Sequence, residues 1–170
     1  MTGYLVQLSI KSRTPGEHGL PKRAVPGLEI SPSGAEGDYN DYRTRALHGD
    51  PAQAILLMTQ DLLDQLNAEG WPVAPGHLGE NLTLGGIPEA ALQPGVRLQI
   101  GDVLLEVSAA CDPCDRLYAL PYIGIDRGPT FLRATVGRRG WYARVLAGGQ
   151  VSLGSPVSLL TGPRAIGAAR

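Results

Sequence analysis

Short apolar runs with a period of two, cut by glycine and proline, constrain this chain more than any other feature. In YLVQLSI at 4–10, Tyr4, Val6, Leu8 and Ile10 fall on one side of a pleat, which predicts a strand. GLEISPSG predicts a second short strand ending in a turn, and AQAILLM is a continuous apolar run of strand length, buried on both faces. ENLTLGG reads as a strand closed by glycines. GVRLQIGDVLLEVS reads as two strands around a tight turn at Ile100-Gly101-Asp102. WYARVLAGGQVSLGSPVSLL alternates well and predicts a hairpin turning at Gly148-Gly149, followed by a final strand.

Helical signals are few. Thr59 has the character of an N-cap for QDLLDQLNAEG, in which Leu62, Leu63 and Leu66 form a stripe and Gly70 marks the stop. RGPTFLRATVGRRG is a candidate second helix with Pro129 in its first turn. The stripe at 60–69 is expected to be the only long helix. Glycine and proline, 23 and 14 in number, and a single phenylalanine agree with many turns and short strands. Because the strands are joined mainly by hairpins, repeated crossovers are not expected. The expected fold is mostly β, an antiparallel barrel with one or two short-to-medium helices. Residues 1–160 are expected to form one domain and TGPRAIGAAR at 161–170 a frayed tail. EGDYNDYRTRALHGDP at 36–51 has no period and is read as a long surface loop of the kind that carries function.

A formal net charge of −1 gives no global basic field for nucleic acid. No run approaches the ~18 apolar residues of a membrane span. The first residues lack a cleavable targeting pattern, so the expected location is the cytoplasm. Cytosolic thiols are kept reduced, which makes two neighbouring cysteines reactive or metal-binding more often than bridged.

Those cysteines are Cys111 and Cys114, in CDPCDRL. A structural zinc site needs four nitrogen or sulfur ligands, yet the histidines are only His18, His48 and His77, with no close pair among them. Thioredoxin-like cycling would need the pair to open a helix, whereas DRLYALPYIG breaks at Pro121. Two plain core residues would sit oddly among Asp112, Asp115 and Arg116. A single reactive thiol, Cys114, at a strand end with Arg116 nearby, is the fourth reading, with Cys111 resolving or incidental.

Four stretches, in order, resemble the MOSC domain, the module found at the C-terminus of molybdenum cofactor sulfurases and as small stand-alone bacterial proteins. They are LPKRAV leading to EGD at 36–38, HGDPAQAILL at 48–57, PGHLGENLTLGGI at 75–87, and PC at 113–114 with GWYARVLAGGQVSLGSPV at 140–157. The resemblance implies a β-barrel-like fold and makes Cys114 the family's signature cysteine, a sulfur carrier or metal ligand. It implies binding of the molybdenum cofactor (molybdopterin) or a related phosphate-bearing pterin, or of a sulfurated substrate, and is associated with pyridoxal phosphate as well. It also implies a part in reducing N-hydroxylated compounds. A cysteine desulfurase or a redox protein is the implied partner; neither nucleic acid nor membrane is. A non-catalytic cofactor-delivery protein and a Cys111/Cys114 redox switch are the alternatives.

Within the matched stretches, Gly37-Asp38 suits a tight turn whose carboxylate caps backbone amides. His48 can shuttle a proton or hold a phosphate, or be satisfied within its loop. Around Asn81 and Glu80 the glycines offer amides to an anion, or simply enter a strand. Arg144 is expected to point its fork into a polar pocket with Tyr142 on the same pleat face, while Trp141 points to the core. Arg116 is expected to favour a thiolate. His48, Asn81, Arg144 and Cys114 are therefore expected to converge on one pocket. Three positions depart from the family pattern: Cys111 is an additional thiol, Asp50 stands for a glycine, and Ser155 for an aspartate.

Overall fold

The computed structural model describes residues 1–15 and 19–160. Eleven strands run in chain order: β1 (Thr2–Ile10), β2 (Arg23–Val25), β3 (Gly27–Ser31), β4 (Gly34–Ala35), β5 (Ile55–Thr59), β6 (Leu82–Gly85), β7 (Arg97–Ile100), β8 (Val103–Ala110), β9 (Trp141–Ala147), β10 (Gly149–Ser152) and β11 (Pro156–Leu160). Among the described residues, three α-helices interrupt them: α1 (Asp41–Arg45), α2 (Gln60–Ala68) and α3 (Gly124–Thr135). Seven strands close into a barrel in the order β11-β7-β8-β9-β5-β6-β1, because β1 returns to β11 with Thr2 opposite Ser158. Closure removes the open edges that an antiparallel sheet otherwise exposes. One pair departs from the antiparallel rule: β5 and β6 run parallel, joined through α2.

The alternation seen in the sequence has its physical cause in this closure, except in β1, where a bulge between Leu5 and Gln7 turns Leu5 and Leu8 inward together and leaves Tyr4 exposed rather than on the face of Leu8. Leu5, Leu8, Ile55, Leu57, Leu82, Leu98, Leu105 and Ala143 point inward into one apolar core. Each fully buried leucine or isoleucine among them contributes about 1.5–3 kcal/mol of hydrophobic free energy. A second core lies outside the barrel. Leu62, Leu63 and Leu66 of α2 meet Leu117, Leu120 and Ile123, and the chain's single phenylalanine, Phe131 of α3, is fully buried among them. Phe131 packs on Trp71 with ring centroids 4.9 Å apart.

Four local expectations are corrected. The helix at 60–68 is not the only long one, because α3 is longer and begins at Gly124, which places Pro129 inside the helix rather than in its first turn. Gly128 lets α3 lie against the Tyr118 ring, which a side chain would strike, and that contact anchors the helix upstream of the proline. Thr59 occupies the N-cap position of α2, yet its hydroxyl donates to Glu89 Oε2 at 2.8 Å instead of capping. Glu89 also accepts from Trp141 Nε1 at 2.6 Å, so one carboxylate ties β5 to β9. Gly148-Gly149 does not turn a hairpin: β10 pairs with β3 in a separate three-stranded sheet. At Gly148 a side chain would collide with the Ile30 carbonyl, so the glycine there serves a close crossing of chains. The loop at 36–51 contains the short helix α1, capped by Asn40 accepting from the Arg43 amide.

Among the described residues, no helix is long and apolar enough to cross a membrane. The tail expected at 161–170 lies outside the described residues.

Candidate functional site

On the outer face of the barrel, Leu56 of β5 and Tyr142 of β9 are register partners. They lie at the wall of a cavity of about 380 Å³, also lined by Lys11 to Pro15, Gly19, Leu20, Lys22, Tyr39, Asn40, Gly79, Arg116 and Arg139. Five cations line it, namely Lys11, Arg13, Lys22, Arg116 and Arg139, and among the described residues no carboxylate does. The whole chain is nearly neutral, so this concentration of positive charge is local. Such a cleft focuses field and attracts anions. A smaller cavity of about 110 Å³ adjoins it, sharing Lys22, Asn40, Leu56, Gly79 and Tyr142 and reaching Asp38, Arg43 and Asn81.

One flank of the site is a closed polar clasp. Lys22 Nζ donates to Asp38 Oδ2 at 2.6 Å, with both side chains at most 10 % exposed. Asp38 also accepts from the Lys11 amide at 2.8 Å and from Asn81 Nδ2 at 2.9 Å. Asn81 Oδ1 accepts from the Leu56 amide at 3.1 Å, and its Nδ2 also reaches the Ser9 carbonyl at 3.3 Å. The clasp stitches the ends of β1, β5 and β6 together.

The other flank carries the thiols. The Cys111 amide donates to the Gly140 carbonyl at 2.9 Å, continuing the β8–β9 ladder one step. Gly140, at φ +84, runs so close to the Leu57 carbonyl that any side chain would collide. That approach puts the preceding residue, Arg139, against the thiol segment. Arg139 Nη1 lies 3.2 Å from Cys111 Sγ, 3.9 Å from Cys114 Sγ and 3.0 Å from the Asp112 carbonyl. Arg139 is 8 % exposed, and its buried Nε has no partner. Cys111 is buried, while Cys114, at the N-cap of the 3-10 turn Asp115–Ala119, is half-buried. Burial pushes the Cys111 thiol up from its ordinary pKa; Arg139 and a hydrogen bond with Tyr142 pull it down by less. Tyr142 is likewise held protonated, by burial first and then by the Cys111 sulfur.

A third buried group lies below the clasp. Glu80 is fully buried, accepts from the Gly76 amide at 2.7 Å and from Thr83 Oγ1 at 3.2 Å, and leaves Oε2 without a partner. Burial raises its pKa. The neighbouring His77 Nδ1 and Tyr122 hydroxyl share a hydrogen bond at 2.8 Å, and burial lowers the His77 pKa.

The residues singled out from sequence are placed unequally. Tyr142 and Arg116 line the large cavity, and Cys114 stands behind Arg139 rather than in the wall itself. Asn81 borders the smaller cavity, with its amide engaged in the clasp. His48 is exposed, at φ 50 in the turn after α1, and lines neither cavity. Arg144 is corrected: it shares the outer face with Tyr142 but lies further along β9, half-exposed, opposite Glu106 with Nε 3.9 Å from its carboxylate. The expected convergence of His48, Asn81, Arg144 and Cys114 on one pocket is not what the structure shows. Sequence reading missed Arg139 and Lys22. Arg139 lies 25 residues from Cys114. The only local signal was GRRG, ahead of an alternating strand. Asp50 caps its own turn by accepting from the Ala52 amide at 2.9 Å, and Ser155 Oγ accepts from the Ser152 amide at 3.1 Å, so both departures from the pattern serve turns.

Among the described residues, no cluster of three or more acidic, histidine or cysteine side chains is arranged to hold a metal ion.

The MOSC domain model matches residues 44–158. The chain is similar to the protein YiiM of Escherichia coli, at 30% identity over 142 residues, 79% of this chain and 59% of YiiM. It is also similar to a protein of Gibberella moniliformis named Reductase, at 32% identity over 136 residues, 76% of this chain and 23% of that protein. The chain thus spans less than two thirds of either relative. Among solved structures, the YuaD protein of Bacillus subtilis superposes with a TM-score of 0.76 at 19% identity, covering 94% of this chain and 96% of that one. The crystal structure of E. coli YiiM superposes with a TM-score of 0.65 at 24% identity, covering 94% of this chain and 70% of that one. These two structures share the fold.

Proposed function

From the premise that this chain belongs to the MOSC domain family, we propose that its cationic cavity binds a phosphate-bearing pterin of the molybdenum cofactor type, with Cys114 as sulfur carrier or metal ligand beside it. The observation that carries this reading is a lining free of carboxylates that carries Lys11, Arg13, Arg116 and Arg139 besides the paired Lys22, backed by a buried guanidinium that touches both sulfurs.

The residues present fit such a group. Arginine forks and lysine ammonium groups suit phosphate oxygens. A thiol is a soft ligand for a metal and an acceptor for sulfur. The partnerless Nε of Arg139 leaves a buried donor to be satisfied, and an anionic ligand is the natural acceptor. When bound, the cofactor would supply a two-electron redox centre. The protein's own part is to hold phosphate with Arg116, Arg139 and Lys11, to flank the ring with Tyr142 and Leu56, and to keep positive charge beside the Cys114 sulfur. In this reading the activity is reduction of N-hydroxylated compounds; the fungal relative, of which this chain covers 23%, is named Reductase, which agrees with a reduction without naming its substrate.

The test is the metal and pterin content of protein purified from its host, followed by titration with a pterin phosphate and, in parallel, pyridoxal phosphate. Pterin binding that weakens with salt and is lost in Arg139→Gln supports the reading. Binding without turnover of an N-hydroxylated base identifies a delivery protein. No binding of either heterocycle overturns the reading.

A further inference from the structure

We propose that Cys111 is a resolving thiol that discharges sulfur from Cys114. This rests on the reading of Cys114 as a sulfur carrier. Its own support is the placement of the two sulfurs: one guanidinium nitrogen, Arg139 Nη1, reaches Cys111 Sγ at 3.2 Å and Cys114 Sγ at 3.9 Å. Both thiols are free, and they differ in access: Cys114 is half-buried and Cys111 is 1 % exposed. A bulky donor meets Cys114 first, and Cys111 is shielded from direct loading.

The step balances without an outside oxidant. Cys114 carrying one extra sulfur is a persulfide. Cys111, as thiolate, attacks Cys114 Sγ. A bond forms between the two Sγ atoms, the bond from Cys114 Sγ to the terminal sulfur breaks, and the electron pair leaves with that sulfur as hydrosulfide. The proton given up by Cys111 ends on the product, which departs as hydrogen sulfide. The Cys111 sulfur is oxidised from thiol to disulfide and the terminal sulfur is reduced to sulfide. A dithiol reductant, supplying two electrons and two protons, returns the pair to thiols.

One feature prepares Cys111 for this role. Arg139 favours negative charge on either sulfur, so charge passing from the attacking to the leaving sulfur stays beside one cation.

The experiment loads full-length protein with inorganic polysulfide and follows intact mass and released sulfide without added reductant. The wild type is expected to gain one sulfur transiently, release sulfide, and settle at a mass lower by two hydrogens, with a Cys111–Cys114 disulfide found on peptide mapping. Cys111→Ser is expected to retain the extra sulfur and release sulfide only when dithiothreitol is added; Cys111→Ala controls for folding and should behave alike. A wild type that holds its persulfide as long as Cys111→Ser overturns the resolving role and leaves the carrier reading standing. Failure of Cys111→Ser to load at all, with Cys114 still open to alkylation, overturns the carrier reading and the proposal with it.

Discussion

Lys22, Asp38 and Asn81 on one side of the cavity, and Arg139, Cys111 and Cys114 on the other, are both largely buried polar clusters, but they differ in how fully their hydrogen bonds are used. In the clasp, the ammonium meets a carboxylate at 2.6 Å, that carboxylate also accepts from the Lys11 amide just past β1, and the Asn81 amide bonds backbone groups of β1 and β5. In the thiol cluster, a guanidinium faces two weak sulfur acceptors and one carbonyl, and its Nε has nothing. Breaking a buried ion pair is costly because the surviving charge stays buried. A buried cation left short of partners is an expense that folding alone does not explain, and such shortfalls collect where a ligand completes the set. The clasp holds the barrel end in shape; the thiol cluster is what that shape presents.

The largest expected effect lies in the clasp. Asp38→Ala removes the acceptor of Lys22, the Lys11 amide and Asn81 at once and strands a buried ammonium, at a cost of about 3–5 kcal/mol in chemical denaturation. A loss under about 1 kcal/mol would break the contrast, because the clasp would then be no better knit than the thiol cluster.

Glu80 sharpens the same contrast through pH. Burial raises its pKa, so the protonated form fits the fold better than the charged one. The stability that protonation gives is complete below the ordinary glutamate value and is lost as pH rises through the raised one. Glu80→Gln should therefore match the wild type in acid and exceed it near neutrality, read as urea midpoints across pH. A variant equally destabilised at all pH values would mean that the carboxyl is needed for its shape alone.

Arg139→Gln is expected to cost only about 1 kcal/mol of stability, the scale of one hydrogen bond, while slowing alkylation of Cys114 on the order of tenfold. The smallest effect belongs to Arg144→Ala: its partner is 3.9 Å away and both groups are partly exposed, so stability should change by less than about 0.5 kcal/mol and anion binding not at all.

Most of the barrel was legible because inward and outward residues alternate along β7, β8 and β9, a pattern that the pleat imposes on any half-buried strand, whereas the bulge in β1 between Leu5 and Gln7 left no mark in the apolar pattern. The tight β7–β8 turn at Gly101 was legible for the same reason. The β9–β10 hairpin was misread because glycine pairs mark both tight turns and close chain crossings, and only the pairing of β10 with β3 tells them apart. Cys114, Tyr142 and Arg116 stood out by residue type and neighbours. Arg139 did not: it acts across 28 residues on Cys111, and nothing in GRRG separates it from Arg138, which pairs at the surface with Glu69. Arg144 was overvalued because an arginine in an apolar strand signals a pocket or a solvent face equally well, and the choice was set by Glu106 in register across from it.

At the centre of the proposed function, the cation-lined cavity and the Cys114 thiol form a single site joined by Arg139. Its most direct test is the rate of Cys114 alkylation, read by intact mass with and without saturating pterin phosphate, in the wild type and in Arg139→Gln. The account predicts that the ligand protects Cys114 in the wild type, that protection fades with added salt, and that Arg139→Gln loses it while remaining folded. Ligand bound in the cavity with Cys114 alkylated at an unchanged rate would contradict it.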